Sequence, residues 1–249
     1  MKYIFVIALV FAVSGCSTTK DEMTIAAEAG DYIAQYQLAV KYANGDGLKK
    51  DSAEAVKWYR KAAEQGLVQA QYNLAYMLLS GEGVAKDMAE AYSWSLKAAQ
   101  TGLPEAQFNV SVMYKQGDGV EENIDQAVEW AVAAAEQGHL DAQRNLGAWY
   151  GRGEGVERNE EEAFKWYLMA AKQGYESARI IVGGRYAFGG GGVPKDVVRG
   201  YGWLATSDAE MAVGYLDKLK EDMPEADIEK GEAYAATCIE SNYQDCEWS

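Results

Sequence analysis

The sequence repeats itself every 36 residues, and this period restricts the fold more than any single residue does. Glycine returns at this interval, followed each time by an alanine and then by an apolar residue. The glycines are Gly30, Gly66, Gly102, Gly138 and Gly174, and the alanines are Ala34, Ala70, Ala106, Ala142 and Ala178. A fixed period of this length is typical of an array of small units, none of which can bury its apolar face alone. One elongated domain of stacked units is therefore predicted.

Each unit is predicted to contain two helices. In the second copy, Val68–Ser80 carries apolar or small residues at helical spacing, and a second helix begins after Asp87. We expect Asp87 to cap that helix and Glu90 to reach back to it, as in a capping box. The same cap is expected in the other copies at Asp51, Asn123, Asn159 and Asp196. Tryptophans with the same period are expected to fill the space between helix layers. They are Trp58, Trp94, Trp130, Trp166 and, displaced by one residue, Trp203.

These residues resemble the Sel-one-like repeat, a relative of the tetratricopeptide repeat. The matching features of the second copy are Tyr72-Asn73-Leu74, the turn 81–84, Asp87, Trp94 and the run 97–99, Lys-Ala-Ala. Four copies match well, whereas the fifth has a longer glycine turn and lacks Lys-Ala-Ala. The resemblance implies an all-α fold, a right-handed α-solenoid of about five 36-residue helix-turn-helix repeats with N- and C-terminal capping helices.

The N-terminus is predicted to be a targeting segment. Lys2 precedes an apolar run of 11 residues from Tyr3 to Val13. As a helix this run spans about 17 Å, against about 30 Å for the core of a bilayer, so it fits a signal peptide and not a membrane span. The following Ser14-Gly15-Cys16 resembles a bacterial lipobox, which implies a lipid on Cys16. The alternative is an ordinary signal peptide with a chance cysteine.

The chain accordingly divides into residues 1–15 (lipoprotein signal peptide), 16–20 (lipidated tether), 21–208 (solenoid) and 209–249 (C-terminal capping helices and tail). Ser17 after the cysteine resembles the enterobacterial pattern for the outer membrane. We therefore expect a periplasm-facing lipoprotein of the bacterial envelope, held at the outer membrane through Cys16. In that oxidising compartment Cys238 and Cys246 are expected to form a disulfide, with two free thiols as the alternative.

Charge and composition exclude some functions. The net charge of −15 argues against a nucleic-acid partner, because phosphate binding requires clustered Lys and Arg. It is compatible with a basic protein partner or simply with solubility. The single histidine, His139, follows a glycine in a turn and is expected at the surface. Without a second histidine, neither a zinc site nor a catalytic constellation is expected, and no cofactor is implied.

One face of the first helix in each copy is the predicted binding site. Residues three, six, ten and thirteen positions after each glycine lie opposite the side that points into the core. This face carries aromatic residues in the first copies and basic residues later, with Lys115 and Arg152 at its edge: Tyr36, Tyr72, Tyr76, Phe108, Lys115, Arg144 and Arg152. Such a face suits an extended segment with apolar anchors and a carboxylate. The alternative is that the tyrosines pack against adjacent copies and the arginines pair with local acids.

The function predicted from these features is a non-enzymatic scaffold or adaptor that binds another protein. The resemblance offers a second role, an immunity protein that neutralises a toxin delivered to the periplasm, for which the acidic surface would attract a basic toxin. A third, penicillin binding or slow β-lactam hydrolysis, is reported for cysteine-rich relatives. Those relatives carry a cysteine pair in each repeat, which this chain lacks.

Overall fold

Thirteen α-helices make up the part of the chain that the computed structural model describes, residues 21–246. In chain order they are α1 (Glu22–Glu28), α2 (Tyr32–Asn44), α3 (Ser52–Glu64), α4 (Val68–Ser80), α5 (Met88–Gln100), α6 (Pro104–Gln116), α7 (Ile124–Glu136), α8 (Leu140–Arg152), α9 (Glu160–Lys172), α10 (Glu176–Phe188), α11 (Val197–Leu204), α12 (Glu210–Asp222) and α13 (Glu225–Glu240). None of the helices in this range has the length and hydropathy needed to cross a membrane. The predicted signal peptide, tether and lipidation site at Cys16 lie outside the described residues.

The helices form a solenoid because each one from α1 to α11 packs against its neighbours in the chain. The first helices of the five copies are α2, α4, α6, α8 and α10, and the second helices are α3, α5, α7, α9 and α11. In four copies both helices are 13 residues long, whereas α11 of the fifth has 8. The predicted all-α solenoid of five two-helix repeats is confirmed, as is the span predicted for α4.

Polar side chains cap the start of each second helix, as the sequence predicts. The side chains of Asp51, Asp87, Asn123, Asn159 and Asp196 accept hydrogen bonds from backbone N–H groups in the first turn. The predicted capping box at Asp87 is wrong in its second half. The backbone N–H of Asp87 donates to the carbonyl of Leu78 in the preceding helix. The carboxylate of Glu90 instead accepts from Arg60 of α3 and from the Trp94 indole, so it joins two copies.

The tryptophan column lies mainly in the core. Trp58, Trp94, Trp166 and Trp203 are buried among alanines of the neighbouring helices. Trp130 departs from the prediction, because it is half-buried at the edge of the cluster around Ala98 and Ala99. Trp149 is buried too, although it stands outside the column and was not expected in the core.

The turn between the two helices of a copy is pressed against the preceding copy. Gly83 has a left-handed backbone with φ of 75°, and a Cβ placed there would lie 2.3 Å from the carbonyl carbon of Ser52. A Cβ at Gly119 would lie 2.0 Å from the carbonyl oxygen of Met88. Both contacts are far inside van der Waals distance. Glycine at these positions therefore fixes how closely one copy sits on the next.

A ladder of buried glutamines joins the copies, and the sequence interpretation missed it although it has the same period. One glutamine lies five residues after the repeat glycine: Gln35, Gln71, Gln107 and Gln143. The Nε2 atoms donate to backbone carbonyls eight residues earlier, over 2.9–3.4 Å. The Oε1 atoms of Gln35, Gln107 and Gln143 each accept from a glutamine of the next second helix at 2.8 Å. These donors are Gln65, Gln137 and Gln173.

The ladder is interrupted in the second copy. Thr101 stands where the donor glutamine is found in the other copies, and its hydroxyl donates to the carbonyl of Ala98 at 2.6 Å. As a result the buried Oε1 of Gln71 has no hydrogen-bond partner. An unsatisfied buried acceptor is destabilising, which makes this the weak point of the ladder.

The solenoid ends in helices that cover the terminal copies. The short helix α1 packs on α2, while α12 packs on α10 and α11, and α13 packs on α11. Cys238 of α13 and Cys246 in the following tail are joined, with their Cα atoms 4.9 Å apart. In the fifth copy Arg179 occupies the ladder position and donates to the Thr206 carbonyl and to the Tyr243 hydroxyl. Thr206, at the end of the fifth copy, and Tyr243 of the tail thus supply the acceptors for Arg179.

Completing the ladder should stabilise the protein. Thr101→Gln places a donor within reach of Gln71 Oε1, so we expect a gain of about 1 kcal/mol in the free energy of unfolding. For a chain of this size that corresponds to a rise of about 2–4 °C in melting temperature. The reverse change, Gln137→Thr, leaves Gln107 Oε1 unpaired and should lower the melting temperature by a similar amount. Equal melting temperatures for both variants and the wild type would contradict the ladder's contribution.

Candidate binding surface

The predicted site residues lie on four successive first helices, α2, α4, α6 and α8. We call the side of the first helices that carries residues six, ten and thirteen positions after each repeat glycine the groove face. The structure gives these positions different environments. The aromatic residues at position six pack against neighbouring helices. The residue at position ten of the second copy, Tyr76, projects into solvent.

Position six favours the intramolecular alternative. The rings of Tyr36 and Tyr59 are 5.8 Å apart, and Phe108 is stacked on His139 at 4.6 Å. Burial raises the pKa of Tyr72, whose hydroxyl bonds the side chain of Asn109 in the next copy. Phe108 and Tyr72 therefore help to hold neighbouring copies together, whereas Tyr36 contacts the second helix of its own copy.

His139 is not the free surface residue that the sequence predicts. It is the N-cap of α8, where its Nδ1 accepts from the backbone N–H of Ala142 at 3.3 Å, and its ring covers Phe108. In residues 21–246, no group of three or more His, Cys, Asp or Glu side chains could hold a metal ion.

Tyr76, at position ten of the second copy, is the exposed aromatic residue of the groove face. Its side chain is 57% exposed although it stands in the interior of α4. It borders a cavity of about 280 Å³ whose other walls include Tyr59, Asn73 and Met77. Burial raises the pKa of Tyr59 to about 12, and the ion pair of Lys50 and Glu82 also lines this cavity. An aromatic side chain next to an open cavity is the kind of surface on which a partner's apolar side chain can be buried.

The predicted basic residues are present on the surface, and each already has an acidic partner. Lys115 bonds Glu154 at 3.3 Å and lies over the ring of Trp149 at 4.3 Å. Arg152 bonds the same carboxylate at 3.2 Å, and these two contacts lower the pKa of Glu154. A third basic residue, Arg144, pairs with Asp141 at 3.3 Å and lies over the Tyr175 ring at 5.9 Å. Three cations thus share two carboxylates, which leaves a small positive excess.

A second and larger cavity lies at the C-terminal end of the groove face, and the sequence interpretation missed it. It has a volume of about 440 Å³ and lies between α8, α10 and α12. Its floor includes Ala148, Gly151 and Gly184, small residues at positions ten and thirteen of the fourth and fifth copies. The sequence did contain a signal for this cavity. The second copy carries the large residues Tyr76 and Leu79 at the positions where the later copies carry small ones. Helix α12, whose placement the repeat pattern does not set, provides the far wall.

Comparison with known proteins agrees with this architecture. The model of the Sel1 repeat matches residues 33–67, 68–103, 104–139, 140–175 and 177–207. No functionally curated protein matches the sequence.

Two solved structures of repeat proteins are similar to this chain over most of its length. A protective antigen present in uropathogenic Escherichia coli strains, which displays an SLR fold, is 35% identical with a TM-score of 0.77 over 88% of this chain. The match covers 48% of that antigen, so the chain spans about half of its length. A Sel1 repeat protein from Oxalobacter formigenes is 29% identical with a TM-score of 0.64, covering 84% of this chain and 94% of the other.

A more distant match is the immunity protein Pa5087 from Pseudomonas aeruginosa. It is 21% identical with a TM-score of 0.46, over 91% of this chain and 74% of that protein. Similarity at this level does not bear on the function of this chain. The five matched repeats cover most of the sequence, and together with the observed helix pairs they show that the chain belongs to the Sel1 repeat family.

Proposed function

We propose that this protein is a non-enzymatic scaffold or adaptor of the bacterial envelope that binds a segment of another protein along its groove face. The observation that carries the proposal is Tyr76. A tyrosine that is 57% exposed in a helix interior, next to a cavity, contributes little to the fold and is available to a partner. The rings at position six provide a rigid, partly apolar floor beside it.

The geometry gives the groove face no evident chemistry of its own. The ring of Tyr36 packs on Tyr59, the basic residues of the face are paired with carboxylates, and His139 is occupied as a helix cap. Binding therefore accounts for the arrangement better than catalysis does. Turnover of nitrocefin by the purified protein, above the rate of a heat-denatured sample, would contradict the non-enzymatic assignment and favour the β-lactam alternative.

Removing the exposed ring should weaken binding without unfolding the protein. We expect Tyr76→Ala to reduce capture of a partner from envelope extracts about tenfold, equivalent to about 1.4 kcal/mol. The melting temperature should hardly change, because exposed substitutions usually alter stability by less than about 0.5 kcal/mol. Quantitative pull-down with the immobilised full chain measures the first quantity, and calorimetry measures the second.

Ile239→Ala is the control, because Ile239 is 53% exposed and lies on α13, outside the first helices that carry the groove face. It should leave capture unchanged. Equal capture by the two variants would place the interface elsewhere. The half-buried Tyr72 is a poor test residue, since its removal would also loosen the contact with Asn109.

We further propose that Cys16 carries the membrane anchor and that the protein faces the periplasm from the outer membrane. The lipobox-like Ser14-Gly15-Cys16 and the following Ser17 support this location. More than one acyl chain on Cys16 would make the attachment stable, whereas a single chain binds reversibly.

The anchor can be tested directly in cells. Mass spectrometry of detergent-extracted protein should show a mature chain that begins at an acylated Cys16. Cys16→Ser should remove the acyl mass and prevent cleavage before that residue, while Ser14→Ala, a small-for-small change, should leave processing intact. An unmodified Cys16 in the wild-type protein would overturn the proposal.

A second candidate function is that of an immunity protein for a basic toxin, favoured by the net charge of −15. Electrostatic steering by such a charge would accelerate association with a basic partner. In that case added salt should slow association strongly, and Tyr76→Ala should affect the off-rate more than the on-rate. A captured partner of acidic composition would rule this candidate out.

A further inference from the structure

The cavity between α8, α10 and α12 exists because its helices carry very small residues where earlier copies carry larger ones. Ala148 and Gly184 occupy the position held by Tyr76 and Val112 in the second and third copies. The backbone of Gly184 is ordinary α-helix, and the nearest atom to a Cβ placed there is Tyr215 Cε2 at 3.7 Å. Neither positive φ nor a close backbone contact requires glycine at this position. Since glycine lowers helix stability, its presence here is better explained by the space it leaves.

Exposed apolar side chains lie at and beside this cavity. Met211 of α12, 62% exposed, lines it, and Phe188, 41% exposed, lies behind its wall with its ring 5.5 Å from that of Tyr215. Ile180 and Ile181 line the same space. Apolar side chains that stay exposed around an open cavity typically mark a binding site, because a partner that covers them removes their apolar surface from water. The cavity is therefore suited to an apolar side chain.

The charges at the cavity favour an acidic neighbour for that side chain. Arg152 is 71% exposed and uses its NH1 group for Glu154, while Arg185 pairs with Glu160. Glu154 is shared by Arg152 and Lys115, and Glu160 is shared by Arg185 and Arg158. Four cations thus share two carboxylates beside this cavity, in a chain whose net charge is −15.

We propose that this cavity binds one apolar side chain of an extended segment of a partner protein, and that Arg152 pairs with an Asp or Glu side chain neighbouring it in that segment. The guanidinium has further N–H donors beyond the one that bonds Glu154, so a second carboxylate can be accepted without breaking that pair. Helix α12 forms the wall at this end of the groove face. The inference rests on the proposed function and names the chemistry that its partner would present.

The probe is a displayed library of random linear peptides, selected on the immobilised full-length protein. We expect enrichment of peptides in which Leu, Ile, Met or Phe neighbours Asp or Glu. In a synthetic copy of an enriched peptide, replacing the apolar residue by Ser or the acid by Lys should each weaken binding about tenfold or more. Selection of peptides without this pair, or no enrichment, would overturn the proposal.

Two pairs of variants locate the site. Gly184→Leu fills the cavity and should weaken the selected peptide about tenfold, while Gly214→Leu on α12, where a Cβ would meet nothing within 4 Å, should leave binding unchanged. Neither change should lower the melting temperature, because leucine favours helix over glycine. Arg152→Glu should weaken binding in a salt-dependent way, whereas Lys57→Glu on α3, with the same change in net charge, should not.

The outcomes separate this inference from the proposed function. If Gly184→Leu binds the peptide as the wild type does, the cavity is not the site and the inference fails. The proposed function then stands as long as Tyr76→Ala still reduces capture of the partner from extracts. If neither variant changes capture, the groove face is not the interface and both fail.

Discussion

The structure depends on the contact between successive copies, because a pair of 13-residue helices cannot bury its own apolar face. Buried alanines and tryptophans fill this contact, and the glutamine ladder adds a second hydrogen bond to carbonyls at the helix ends that already accept from the repeat glycines. The tight turn glycines, such as Gly83, set how closely the copies approach. Hydrophobic burial supplies the driving force here, while the polar ladder and the glycines fix the alignment of one copy on the next.

Because these contacts between copies hold the fold, residues on the groove face can differ from one copy to the next. Side chains at position six, such as Phe108, still belong partly to the contact between copies. Position ten tolerates residues of very different size in the second and fifth copies, where the side chain changes the shape of the surface. The second copy places Tyr76 there and presents an exposed ring, whereas the fifth places Gly184 there and opens a cavity. One scaffold thus offers an aromatic projection at one end and a recess at the other.

Much of the fold could be predicted from the sequence, because period, caps and glycines act locally. The span of α4 and the five polar caps were predicted from neighbouring residues alone. The errors arose where the structure brings distant residues together. Glu90 is three residues from Asp87 in the chain but bonds Arg60 of the preceding copy, and His139 covers a ring thirty-one positions earlier. The larger cavity escaped prediction because α12, outside the repeat pattern, forms one of its walls.

The central claim is that a partner segment lies on the groove face, and site-specific photo-crosslinking in intact cells tests it most directly. A photoreactive phenylalanine would replace Tyr76, on the groove face of α4, or Glu129, an exposed residue on the second helix α7. The account predicts that irradiation joins a partner to the chain at position 76 and leaves position 129 without an adduct. Adducts at position 129 with none at position 76 would show that the partner binds the second helices, and would contradict the account.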